Sequence, residues 1–177
     1  MRYFQMFFII LLITALSCND VGKSEKLNQS QSEDINDKSL TINFNFKTNK
    51  TDVFKIMMNN IQVDELQKKN VHIFENVVPS SSQDEIIGKF DAGDISRSIH
   101  IHLGNKERKE VEIVSIHLSY GENQINIATP EDLDKYFVFN KFIEKDPTSK
   151  KLKTIKINGQ HNPVFSLKLN LINFLTK

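Results

Sequence analysis

The stretch Leu40-Thr41-Ile42-Asn43-Phe44-Asn45-Phe46-Lys47 alternates apolar and polar residues at every step. Successive side chains of a strand leave the backbone on opposite sides, so this period of two predicts a β-strand with one buried face. The pattern returns in Ser98–Leu103, and Val111–Tyr120 is the longest strand candidate. Val71–Phe74, Glu85–Phe90, Gln124–Ala128 and Tyr136–Phe139 supply shorter ones. Polar turns such as Thr48–Asp52, Pro79–Ser82, Asp91–Asp94 and Gly104–Glu107 lie between them. Short strands spaced roughly 8–15 residues apart argue for an antiparallel sheet folded on itself. No long amphipathic helix competes. The expected class is therefore all-β, an antiparallel β-sandwich with at most one or two short helices.

Local signals refine that expectation. Thr129-Pro130-Glu131-Asp132 is a helix start, with a threonine cap, proline in the first turn and acids facing the helix dipole. The helix it opens is short and ends near Lys135. Val53–Met58 reads as a strand reached through a hairpin from the first, with Asn59-Asn60 as the turn after it, since asparagine tolerates positive φ. Gly88 inside an apolar run suggests a bulge. Val114, Ile116, Leu118 and Tyr120 share one face of their strand, and Val111 and Ile113 fall on the other. Lys153–Asn158 and Val164–Leu171 read as the last two strands. The apolar phase of these strands nominates Ile42, Phe44, Phe46, Ile99, Ile101, Leu103, Ile116 and Leu118 as core.

The N-terminal part has a different character. Asn19 to Ser39 holds only three apolar residues, Val21, Leu27 and Ile35, without useful spacing. Such a segment buries too little surface to offset its ordering entropy. The expected organisation is residues 1–17 as a signal peptide, 18–39 as a lipidated cysteine and flexible tether, and 40–177 as one domain. Phe7 to Leu16 is apolar and follows Arg2, yet it falls short of the roughly 20 residues that span a bilayer. It has the length of a secretory h-region. Cys18, the single cysteine, follows directly after Ser17. With one cysteine, no intramolecular disulfide is possible, so the core alone must hold the fold.

The segment Ile13-Thr14-Ala15-Leu16-Ser17-Cys18 resembles the lipobox of bacterial lipoproteins. Ala15 stands where leucine is usual, with Leu16 beside it. The resemblance implies removal of the signal before Cys18, diacylation of that cysteine and anchorage in a bacterial cell envelope, with the outer membrane as the expected location. The segment Ile99 to Tyr120 carries a second likeness. A strand, Leu103-Gly104-Asn105, a charged loop and a strand ending in Ser119-Tyr120-Gly121 resembles jelly-roll domains related to carbohydrate-binding modules. That likeness implies a jelly-roll-like sandwich and carries no binding residue over.

Composition removes several functions. The chain has 23 basic and 22 acidic residues, and its only basic cluster is Lys150-Lys151-Leu152-Lys153. Nucleic acid needs a basic stripe, so none is expected as partner. No phosphate-binding loop, dinucleotide fingerprint, nucleophile elbow or zinc-protease motif occurs. No catalytic residue, cofactor or resident metal is expected. His100 and His102 lie two apart on one strand and so share a face, to which a neighbouring strand carrying His117 would add a third imidazole. Solvent exposure on the polar face of an alternating strand explains them before metal binding does. The Asp91–Asp94 loop reads as an acidic turn before it reads as a calcium site. There is no tryptophan to stack on a sugar, which leaves Tyr120 and Tyr136 as aromatic candidates.

The reading these features support is a non-catalytic envelope lipoprotein whose β-sandwich binds a ligand, with glycan as the leading class. Tyr120 would stack, and His100 and His102 would hydrogen-bond. The alternative is a structural or assembly lipoprotein that binds another envelope protein. The anchor is directly testable. Mass spectrometry of the mature N-terminus should find an acylated Cys18, and Cys18→Ala should leave either uncleaved precursor or soluble protein. Acylated protein from that variant would refute the assignment.

Overall fold

The structure is a computed structural model that describes residues 39–80, 82–91 and 95–177. The expectations for Cys18 and the tether lie outside the described residues, apart from Ser39. The antiparallel β-sandwich with two short helices predicted from strand spacing is the architecture observed. Eleven strands are described: β1 (Ser39–Thr48), β2 (Asp52–Gln62), β3 (Lys68–Val77), β4 (Asp84–Asp91), β5 (Ser98–His102), β6 (Glu110–Tyr120), β7 (Asn123–Ile127), β8 (Phe137–Phe139), β9 (Ile143–Lys145), β10 (Lys151–Thr154) and β11 (Val164–Leu167). Helix α1 (Pro130–Tyr136) precedes β8, and α2 (Leu169–Leu175) follows β11.

One sheet has the order β4-β1-β6-β10-β9, and β7 also pairs with β6. Both β10 and β7 lie on the β6 edge away from β1, β10 along Glu110–Glu112 and β7 along Ile116–Tyr120. The second sheet has the order β3-β2-β5-β11-β8. All pairings are antiparallel. The first two strands therefore do not form the expected hairpin. The turn at Asn49-Lys50 carries the chain from one sheet to the other, so Phe44 and Phe46 face Phe54 across the core. The ring centroids of Phe44 and Phe46 lie 4.7 Å apart and those of Phe46 and Phe54 5.0 Å apart. Phe165 continues the cluster with Phe44 at 5.9 Å and Phe137 at 5.3 Å. Aromatic groups at these separations pack favourably beyond their buried area. Every nominated core residue is fully buried.

Three local expectations are corrected. Asn60 does adopt positive φ, at 57°, but β2 continues past it to Gln62, and the β2–β3 register shifts there instead of the chain turning. Gly88 makes no bulge: its pairing with Ile42 is continuous with its neighbours. It is small for packing, because a Cβ there would sit 3.2 Å from Ile56 Cδ1 of the opposite sheet. In β6 the register against β1 slips between Asn45 and Phe46, where Ser115 and Ile113 are the successive partners and Val114 is passed over. That bulge resets the phase. Val111 and Ile113 therefore share the core with Ile116 and Leu118, where strict alternation placed them outside.

Helix α1 begins as predicted, with Thr129 Oγ1 accepting the Asp132 N–H at 3.1 Å. The last strand is shorter than expected and gives way to α2. Leu171, Ile172 and Leu175 are buried there, a helical i, i+1, i+4 face that a strand reading of Val164–Leu171 overlooks. Strand β9 was also not anticipated. Among the described residues, no helix is long and apolar enough to cross a membrane.

Candidate functional site

Ile99 and Ile101 of β5 point into the core, so His100 and His102 between and after them occupy the outer face of the five-stranded sheet. Antiparallel register then fixes their neighbours. Met57 of β2 pairs with both His72 of β3 and His100 of β5, and His100 pairs with Ser166 of β11. The adjacent row is Phe74, Lys55, His102 and Val164. Phe74 is 56% exposed. The Lys55 ammonium lies 5.1 Å from its ring centroid, and the His72 ring lies edge-on at 6.2 Å. Asn59 Oδ1 holds His72 Nε2 at 2.9 Å. This outer face therefore presents one exposed aromatic ring between an imidazole and an ammonium, on a hydrogen-bonded sheet.

The two histidines named from the sequence differ in availability. His100 is half-buried, and its ring joins two hydroxyls: Ser166 Oγ on Nδ1 at 2.6 Å and Ser98 Oγ on Nε2 at 2.8 Å. His102 is buried, contrary to the solvent exposure expected of it. The Gly104 N–H donates to its Nδ1 at 3.1 Å, which requires the proton on Nε2, where Asn162 Oδ1 accepts at 2.8 Å. Both nitrogens of His102 are thus committed inside the fold. Tyr120 ends β6 in the other sheet, half-buried against the core and paired with Leu40. It does not join the histidines. His117 pairs with Asn43 and Asn126 on the outer face of that same sheet, so the imidazoles considered together for a metal sit on opposite faces of the sandwich. Among the described residues no group of three or more histidine, cysteine or acidic side chains could hold a metal ion. Of the Asp91–Asp94 loop, only Asp91 is described, as the end of β4.

Sequence reasoning passed over His72 and Phe74 because Val71–Phe74 carries no polar residue except histidine, so its exposed phase is not legible. It also passed over the most buried charges. Asp52 is 1% exposed and Lys109 3%, and they pair with Lys109 Nζ 2.6 Å from Asp52 Oδ2. Lys109 Nζ also donates to the Leu103 carbonyl at 3.0 Å. The N–H groups of Val53 and Lys106 donate to the Asp52 carboxylate at 2.7 and 3.1 Å. Lys109 and Thr154 bond reciprocally, the Lys109 N–H to Thr154 Oγ1 and the Thr154 N–H to the Lys109 carbonyl, each at 2.9 Å. Gly104 has φ +73°, and a side chain there would run into the Asp52 carboxylate.

Burial by itself would raise the Asp52 pKa. The Lys109 hydrogen bond, the Val53 N–H, the Lys109 charge and the Lys106 N–H together outweigh it and hold Asp52 below the ordinary carboxylate value. Burial lowers Lys109, against the pull of Asp52. Burial likewise lowers His100, His102 and His161. His161 donates from Nδ1 to the Asn105 carbonyl at 3.2 Å, and its buried Nε2 has no hydrogen-bond partner. The buried knot lies beside a groove of about 590 Å³ lined by Lys50, Glu107, Arg108, Glu110, Lys153 and Lys156 among others. No protein-family model, no curated protein and no solved structure matches this chain.

Two outcomes follow for stability. Lys109→Met strands a buried carboxylate and should cost about 3–5 kcal/mol in chemical denaturation. Asp52→Asn combined with Lys109→Met should cost less than the sum of the single changes, and strict additivity would contradict the pairing. The depressed histidines set a pH trend. Their folded pKa values lie below 6.5, so the unfolded chain takes up protons first as pH falls. Stability should therefore decline below pH 6.5, and a melting curve series should show a smaller decline in His102→Gln. The Asp52 contribution is present above pH 3.8 and is lost only as pH falls further, through its depressed folded value.

Proposed function

We propose that this chain is a lipid-anchored, non-catalytic lipoprotein of the bacterial cell envelope, held at the outer membrane through Cys18, whose β-sandwich binds a glycan. The observation that carries the ligand reading is the exposed Phe74 ring, flanked by His72 and Lys55 on the outer face of the five-stranded sheet. A flat ring stacks on the apolar face of a sugar, and the adjoining polar groups supply hydrogen bonds. The sheet holds these groups in place before binding, which limits the entropy lost on association. Within this reading His100 supports the platform through its serine partners, and His102 and Tyr120 are structural. No nucleic acid and no cofactor enters it.

A second reading, docking of another envelope protein, is favoured by the β2–β3 turn, where Leu66 is 95% and Val63 55% exposed. The two readings separate in one set of measurements. A glycan array followed by calorimetry should find a ligand of millimolar to micromolar affinity, about −4 to −8 kcal/mol. Phe74→Ala should weaken it about tenfold or more, and Tyr120→Phe should leave it unchanged. Absence of any glycan ligand, together with a specific protein recovered through Leu66, would favour the assembly role.

A further inference from the structure

The groove beside the Asp52–Lys109 knot is distinct from the sheet face that carries Phe74. Its volume of about 590 Å³ falls within the range of small-molecule sites. Its charges do not balance. Lys109 is neutralised by Asp52 within the fold, and Lys50 lies 3.5 Å from Glu107. That leaves Arg108, Lys153 and Lys156 against Glu110 in the groove and Glu144, the strand partner of Lys153 on β9, and among the described residues none of the three basic side chains forms an ion pair. All three are exposed on the lining of the same groove.

The walls are also rigid. The Lys109–Thr154 double hydrogen bond clips the loop carrying Arg108 to β10, which carries Lys153. The Asn49 side chain accepts the Glu110 N–H at 2.9 Å, and the Lys106 N–H is held by Asp52. The backbone positions from which Arg108 and Lys153 reach are therefore set by the Lys109–Thr154 bonds between them. A guanidinium offers a planar fork and two ammonium groups offer point charges, which together suit a tetrahedral oxyanion.

We propose that this groove binds a phosphate ester the size of a sugar phosphate or a phospholipid headgroup. The inference does not rest on the glycan reading, and it uses none of the same residues. Calorimetry on the full chain at low ionic strength would test it with glucose 6-phosphate, with dihexanoyl phosphatidylglycerol below its micellar concentration, and with glucose as the uncharged control. Saturable binding of one phosphate ester per chain is expected, with none for glucose. Arg108→Ala, Lys153→Ala and Lys156→Ala should each weaken it by about threefold or more, and the triple variant should abolish it. Glu110→Gln should tighten it, and added salt should weaken it. A stronger response to glucose 6-phosphate assigns the phosphate to a sugar, and a stronger response to the lipid assigns it to a headgroup. Lack of saturable binding by both esters would overturn the proposal. So would a triple variant that binds as well as Lys68→Ala/Lys69→Ala, which changes lysines on β3 outside the groove.

Discussion

A lysine and an aspartate almost fully removed from water tie the two sheets together. Asp52 opens β2 in one sheet, and Lys109 precedes β6 in the other. Taking both charges out of water is costly, and their attraction repays that cost only when the remaining donors and acceptors are also satisfied. Here the Leu103 carbonyl accepts a second hydrogen bond from the Lys109 ammonium, and two backbone N–H groups donate to Asp52. Gly104 is required because only a residue without Cβ can pass the carboxylate at positive φ. The same glycine donates to His102 and so sets that ring's tautomer. The β5–β6 connection, the Gly104 contact to His102 and the wall of the basic groove all meet at this ion pair.

The aromatic core works with this knot. Phe44 and Phe46 from one sheet meet Phe54 and Phe165 from the other, so the two sheets are joined by ring contacts as well as by charge. The bulge at Val114 lets both halves of β6 contribute to that core. Without it, either Val111 and Ile113 or Ile116 and Leu118 would face solvent. Gly88 leaves the room that Ile56 occupies.

Two surfaces remain with chemistry to offer, and they differ in kind. The outer face of the five-stranded sheet is ordered by ladder hydrogen bonds and carries the exposed Phe74 ring. The groove is concave and cationic. The first suits the stacking of an uncharged surface, and the second suits an anion, because apolar contact tolerates salt and surface electrostatics do not. Affinity measured against ionic strength would therefore report which surface a given ligand uses.

The sequence by itself determined the class of fold. Strict alternation in Leu40–Lys47 and Ser98–Leu103 specified strands, and it placed Ile42, Phe44, Phe46, Ile99, Ile101 and Leu103 inside, because the side-chain period of a strand is a local property. Thr129 and Pro130 specified the start of α1 for the same reason. Tertiary structure decided everything that depends on which strand lies beside which. It separated β1 and β2 into different sheets, and it parted Tyr120 and His117 from His100 and His102. It also aligned His72 and Phe74 with Met57 and Lys55. It paired Asp52 with Lys109, two residues that look like ordinary surface charges when read in a turn and a charged loop. Burial turned His102 from a polar-face residue into an interior one. Such outcomes rest on long-range register and desolvation, and no window of neighbouring residues carries either.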